Sequence, residues 1–165
     1  MDKIKIIFLD IDGVLRPVTG EDFNRRNINN LNKLTEETGA KIVISSTWRQ
    51  KGIEAVKEFL YKHQVKGDII DITPIFIVSK AWGKDWDKGG PSNIKVPRGL
   101  EIREWMRDYT TMDKYIESYV IIDDSGDMLL SQESHYVKVE QTKGFDKKCL
   151  EKAKEILNIV SIPTI

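Results

Sequence analysis

The sequence predicts an α/β fold of three layers, with helices on both faces of a mainly parallel central sheet. Three observations lead there. Short apolar runs rich in β-branched residues alternate with amphipathic segments of helical period, the order expected of parallel strands joined by crossover helices. A length of 165 residues suffices to bury a core and leaves little room for a second domain. A hydrophobic fraction of 40% beside 32% charged residues describes a globular chain rather than a disordered one. Residues 1–165 are accordingly read as one domain.

The elements follow in order. Lys3–Leu9 (KIKIIFL) is apolar, isoleucine-rich and flanked by Asp2 and Asp10, which predicts a buried strand. Phe23, Ile28, Leu31 and Leu34 recur at helical spacing, and Gly39 stands where a helix C-terminus favours a positive φ. Lys41–Ser45 (KIVIS) predicts a second strand, and Ile53, Val56, Phe59 and Leu60 the stripe of a second helix. Two β-branched runs, IIDI and IFIV, lie within Asp68–Val78, but Pro74 between them rules out one continuous central strand. Ile102, Trp105, Met106 and Tyr109 mark a third helix, with Leu100 in its first turn and Pro97 just before it. Tyr119–Ile122 (YVII) predicts a buried strand and His135–Val139 a shorter one. Phe145, Cys149, Leu150, Ala153, Ile156 and Leu157 form the apolar face of a closing helix.

In such sheets ligands bind beyond the carboxyl ends of the strands, so the residues just after each strand matter most. Asp10, Ile11, Asp12 and Gly13 follow the first; Ser45, Ser46, Thr47, Trp48 and Arg49 follow the second. Asp123, Asp124, Ser125, Gly126 and Asp127 follow YVII. Topology brings these carboxylates and hydroxyls to one rim, where carboxylates repel one another unless a cation sits among them. Hard oxygen ligands suit Mg2+. Asp124 taken alone reads as a turn former; the set Asp10, Asp12 and Asp123 reads as a site.

FLDIDGVL at Phe8–Leu15, SSTWR after the second strand, a basic residue opening a later helix and IIDDSGD resemble, in order, the signatures of the haloacid dehalogenase (HAD) superfamily of phosphotransferases. The longer matches, Thr38–Arg49, Arg98–Trp105 and Tyr119–Met128, resemble the HAD domains of bacterial RNA-repair ("Swiss Army Knife") proteins. A threonine–glycine pair near Thr142–Gly144 is similar to that group's tail. The resemblance implies a Rossmann-like, HAD-like fold and a Mg2+-dependent phosphomonoester hydrolase acting through an aspartyl-phosphate. In that reading Asp10 is the nucleophile, and Asp12 protonates the leaving oxygen and then deprotonates water. Mg2+ is held by the Asp10 carboxylate, the Asp12 main-chain carbonyl and Asp123, with Asp124 and Asp127 behind them. Ser45, or Ser46 one register step away, binds a phosphoryl oxygen. Arg98 stands where most of the superfamily has lysine, with Lys95 as the alternative cation.

The spacing between Thr47 and Arg98 leaves roughly 20 residues beyond the predicted elements, too few for a separate cap domain. A minimal or absent cap leaves the site open to large substrates, such as a polynucleotide 3′- or 5′-phosphate end; a small metabolite or a phosphoprotein remains the alternative. Residues 80–97, with Trp82, Lys84, Trp86 and Lys88, read as a basic substrate-side loop whose tryptophans either stack bases or plug the domain's own surface. His63 and His135 are isolated, Trp105 belongs to a packing stripe, and Cys149 lies on an apolar helix face as core filler.

Zero net charge excludes a global polycation built to coat nucleic acid. One cysteine, no leader pattern in Met1–Leu9 and no long apolar run predict a cytoplasmic protein without a membrane span. A non-catalytic phospho-aspartate signalling module is the rival class, but its acceptor aspartate belongs after the third strand. Such a module carries it near residue 55, where this chain has Glu54 inside a helix.

Overall fold

In the computed structural model residues 3–19, 22–76, 96–111 and 114–158 are described. They form strands β1 (Lys3–Leu9), β2 (Lys41–Ile44), β3 (Ile69–Ile72), β4 (Tyr115–Asp123) and β5 (Tyr136–Lys138), and helices α1 (Arg25–Thr38), α2 (Ile53–Lys62), α3 (Arg98–Thr110) and α4 (Lys147–Asn158). Every strand pairing is parallel, and the order is β3-β2-β1-β4-β5. The α/β fold class expected from the alternation is the one observed.

β1 lies at the centre of the sheet, and its side chains alternate between two cores. Ile7 and Leu9, with Ile11 beyond the strand end, join the stripes of α1, α2 and α4 on one face. Ile6 and Phe8 point the other way, into a smaller core with Ile102 and Trp105 of α3 and with Tyr119 and Ile121 of β4. Residues buried on both faces explain why β1 reads as a continuous apolar run rather than as alternation.

The helix boundaries have local causes. The Asn24 side chain accepts the backbone N–H of Arg26 at 2.9 Å, which caps α1, and Gly39 ends that helix at φ 68°. Phe23 therefore precedes α1 rather than belonging to it, and its ring lies against Phe59 and Trp48. Phe145, expected in the closing helix, also precedes it; it is fully buried and its N–H donates to the Val14 carbonyl at 2.8 Å. Among the described residues of the two β-branched runs, only IIDI forms a strand. Ile75 and Phe76 beyond Pro74 are each 40% exposed, and the rest of IFIV lies outside the described residues. β4 extends well before YVII, because Ile116 and Ser118 are also buried beside β1 and α4.

α3 is docked end-on against the segment after β4. The Gly99 N–H donates to the Asp127 carbonyl at 3.1 Å, while the Gln132 side chain donates to the Gly99 carbonyl at 2.9 Å and accepts the Leu129 N–H at 3.0 Å. No side chain fits at Gly99: a Cβ there would stand 2.6 Å from the Leu129 nitrogen. Gly99→Ala should therefore destabilise the protein by about 1–3 kcal/mol, seen as a lower urea midpoint with an unchanged slope.

Candidate active site

The ladder that pairs Ile44, Leu9 and Ile122 across β2, β1 and β4 continues for one more residue. The Ser45 N–H donates to the Leu9 carbonyl at 3.0 Å, and the Asp10 N–H to the Ile122 carbonyl at 3.0 Å. On the other side the Thr73 N–H donates to the Ile44 carbonyl at 2.9 Å. Thr73, Ser45, Asp10 and Asp123 thus form one transverse row at the carboxyl edge. By strand alternation they continue the face of Val43, Phe8 and Ile121, the face that α3 covers. All four are buried.

A buried row with two carboxylates requires a cation, and α3 supplies it. Arg98, the first residue of that helix, is 6% exposed. Its Nη1 lies 3.2 Å from Asp10 Oδ1 and in closer contact with Asp123 Oδ2. The Arg98 N–H donates to Asp127 Oδ2 at 3.1 Å, so Asp127 caps the helix that carries the guanidinium. Asp123 Oδ1 accepts the N–H and hydroxyl of Ser125, whose hydroxyl also lies 2.6 Å from Asp127 Oδ1. The Tyr136 hydroxyl of β5 donates into the same turn. Burial opposes the Arg98 charge, but Asp123 and then Asp10 outweigh it and hold the guanidinium ionised.

Asp10 is the strained member. Burial, and next the neighbouring Asp123 charge, push its carboxyl up to about 7, although Arg98, the Ile11 N–H and the Ser46 hydroxyl all favour the ionised form. Carboxylate oxygens of Asp10, Asp123 and half-buried Asp124 lie within 4.8 Å of one another, a group of hard donors that fits a small divalent cation. Asp124 reaches this group over Gly13, whose φ is +79° and whose absent Cβ leaves the space the Asp124 carboxylate fills.

The other expected residues are distributed as follows. Asp12 lies outside the buried row, with its side chain 51% exposed. Its Oδ2 accepts the indole N–H of Trp48 at 2.8 Å, and its Oδ1 lies 3.8 Å from Arg16 Nη1. The two serines separate by environment. The Ser46 hydroxyl favours the ionised form of Asp10 and accepts the Trp48 N–H at 3.4 Å, whereas the buried Ser45 hydroxyl has no partner among the described residues. Asp127 belongs to the Arg98 support. Trp82, Lys84, Trp86, Lys88 and Lys95 lie outside the described residues.

Sequence reasoning named Trp48 and Arg49 only as residues following the second strand, without a role, and did not single out Glu101 or Gln132. Arg49 is buried, pairs with Glu101 of α3, and donates through Nη1 to the Ser45 and Ser46 carbonyls at 2.7 and 2.8 Å. Burial lowers the Arg49 pKa and Glu101 opposes that effect. The signal for this pair was the position of Glu101 three residues after Arg98, on the same helix face. The isolated histidines and Cys149 do behave as structural groups. His63 and His135 bond backbone carbonyls at 2.9 and 3.0 Å, and burial raises the Cys149 thiol to about 11. A cavity of about 430 Å3 opens on the α1 side, between Phe23, Asn24 and Arg26 and the Thr142–Lys143 turn, but none of the row residues lines it.

Because folding raises the Asp10 pKa from 3.8 to about 7, the folded state binds a proton that the unfolded chain has released. Stability without divalent cation should therefore fall as pH rises through that window, and be fully retained below it. Asp10→Asn removes the penalty. At pH 8 in chelator its melting temperature should exceed that of wild type by a few degrees, on the order of 1 kcal/mol or more, and the difference should shrink towards pH 4.

Among the described residues no helix is long and apolar enough to cross a membrane. No curated protein matches the chain. The family model described as the HAD domain in Swiss Army Knife RNA repair proteins matches residues 6–150. That match spans the strand ends, the serine turn and Arg98, and by it the chain belongs to the HAD superfamily, in the family of HAD domains found in Swiss Army Knife RNA repair proteins.

Proposed function

We propose that the protein is a Mg2+-dependent phosphomonoester hydrolase that works through an aspartyl-phosphate on Asp10, and that its substrates are phosphorylated nucleic-acid ends. The observation that carries the first part is the buried row itself. A carboxylate able to act as nucleophile stands between the Ser45 hydroxyl, which has no partner among the described residues, and a guanidinium, Arg98, with two further carboxylates beside it. Family membership makes phosphatase-type hydrolysis the reaction class.

Asp10, Asp123 and Asp124, with the Asp12 carbonyl implied by the resemblance, would hold the cation. Bound there, Mg2+ neutralises the charge between a phosphate dianion and an anionic nucleophile. The remaining chemistry belongs to the chain. An Asp10 oxygen attacks phosphorus while the bond to the leaving oxygen breaks, and Asp12 passes its proton to that oxygen. Water then attacks the phosphorus of the aspartyl-phosphate, Asp12 takes the water's proton, and the Asp10–phosphorus bond breaks to release phosphate. The Ser45 hydroxyl donates to a phosphoryl oxygen, which satisfies a buried group without a partner among the described residues. Ser46, whose hydroxyl favours the ionised form of Asp10, orients the nucleophile. Arg98 holds a second phosphoryl oxygen and Asp10 together.

The choice of nucleic-acid ends rests on the family's description as domains of RNA repair proteins and on the basic, tryptophan-containing stretch at residues 80–98. A cytoplasmic setting fits such a substrate.

Asp10→Asn should abolish turnover of p-nitrophenyl phosphate and of 3′- and 5′-phosphorylated oligonucleotides. Residual activity within about tenfold of wild type would exclude Asp10 as nucleophile. At least one oligonucleotide end should exceed the aryl ester in kcat/KM; equal values would remove the nucleic-acid reading and leave a general phosphatase. A phosphoryl-aspartate that persists for minutes would mark a signalling module instead. Asp124→Asn should weaken Mg2+ binding in calorimetry by about tenfold or more, since a hard cation loses one of its charged oxygen ligands.

A further inference from the structure

We propose that Trp48 is the positioning residue for Asp12. Its indole N–H holds Asp12 Oδ2, so that Oδ1 is left to pass the proton to the leaving oxygen. This inference rests on the phosphatase reading above and assigns a role to a side chain outside the buried row.

Among the described residues little else fixes the Asp12 side chain. It is half exposed, and its contact with the half-buried Arg16 is loose at 3.8 Å. The bond from Trp48 Nε1 at 2.8 Å is the short, directed one. The indole is itself held on several sides. Phe59 of α2 lies against its ring at a centroid distance of 4.7 Å, Phe23 meets it edge-on at 6.4 Å, and Lys51 Nζ stands 4.4 Å from the ring centroid. The Trp48 backbone N–H is bonded to Ser46, whose hydroxyl favours the ionised form of Asp10. Because Phe59 and Lys51 engage the ring, the polar edge is the part of Trp48 turned to the chemistry.

This bond acts more strongly in the transition state than before it. As Asp10 bonds to phosphorus and the ester bond breaks, the proton on Asp12 Oδ1 moves to the departing oxygen. The electron pair left behind makes Asp12 a carboxylate, and its negative charge is shared with Oδ2. A donor already aimed at Oδ2 stabilises charge that develops there, the condition for lowering a barrier rather than merely binding substrate.

The test compares two esters in kcat/KM, which covers steps up to the first departure of the leaving group. An aryl ester, p-nitrophenyl phosphate, departs without a proton; a simple alkyl phosphomonoester does not. Trp48→Phe keeps the aromatic stack and removes the donor. It should lower kcat/KM for the alkyl ester about tenfold, the scale of one hydrogen bond to a charged group, with less than about a twofold change for the aryl ester. Asp12→Asn should show the same selectivity more strongly, and adding Trp48→Phe to it should cost nothing further. Site-specific replacement of Trp48 by benzothienylalanine, which exchanges only N–H for sulfur, should reproduce the pattern if the phenylalanine variant folds poorly. Equal losses on both esters, no loss, or losses that add to those of Asp12→Asn would overturn the assignment while leaving the phosphatase reading intact. Wild-type protein inactive on both esters with Mg2+ would overturn both.

Discussion

The site depends on one buried ion cluster. Asp10 and Asp123 end neighbouring parallel strands at the same level of the sheet, both shut away from water, and two such charges side by side are unfavourable in a medium that screens poorly. Arg98 reaches them from the helix layer and joins both through one guanidinium nitrogen. Losing one partner of a buried ion pair typically costs about 3–5 kcal/mol, so most of the rim's construction can be understood as holding that arginine. Asp127 caps its helix, Ser125 bridges Asp127 to Asp123, and the Gln132–Gly99 contact fixes how close the helix end comes.

A second buried pair lies alongside the first. Glu101 follows Arg98 by three residues, on the same face of α3, and receives Arg49 from the turn after β2. Arg49 also binds the carbonyls of Ser45 and Ser46, while Glu101 Oε1 accepts the N–H of Phe76 beyond β3. The first turns of α3 thus hold the segments after β2, β3 and β4 together. Rigid placement of this kind suits a site whose chemistry is mostly positioning and charge stabilisation. The groups left without partners among the described residues, Ser45 Oγ, Thr73 Oγ1 and Arg49 Nε, gather in the same region.

Much of this was legible in the sequence because strand ends in a parallel sheet are located by where apolar runs stop. The runs IIFL, KIVI and YVII stop at Asp10, Ser45 and Asp123, and the ladder sets those three side by side. Which of Ser45 and Ser46 joins the buried row was not legible, since it turns on one step of register that only the pairing determines. Nor was the environment of Asp12. Its partner Trp48 lies across a loop, and no periodicity relates two turns that meet only in space. Asp124, which alone reads as a turn residue, joins the acidic group because Gly13 leaves room for it, a matter of approach rather than of pattern.

The central place of β1 has a consequence for the order in which the molecule comes into being. Asp10 leaves the ribosome well before its partners, since Arg98 and Asp123 lie roughly ninety and more than a hundred positions downstream. Until β4 is made, the strand carrying Ile6–Leu9 has an open edge on one side, and long-range parallel pairing closes slowly. An apolar strand waiting with an unfilled edge is prone to pair with the wrong chain. The same arrangement means that no partial chain holds Asp10 beside Arg98 and Asp123, so the buried cluster and the completed sheet arrive together.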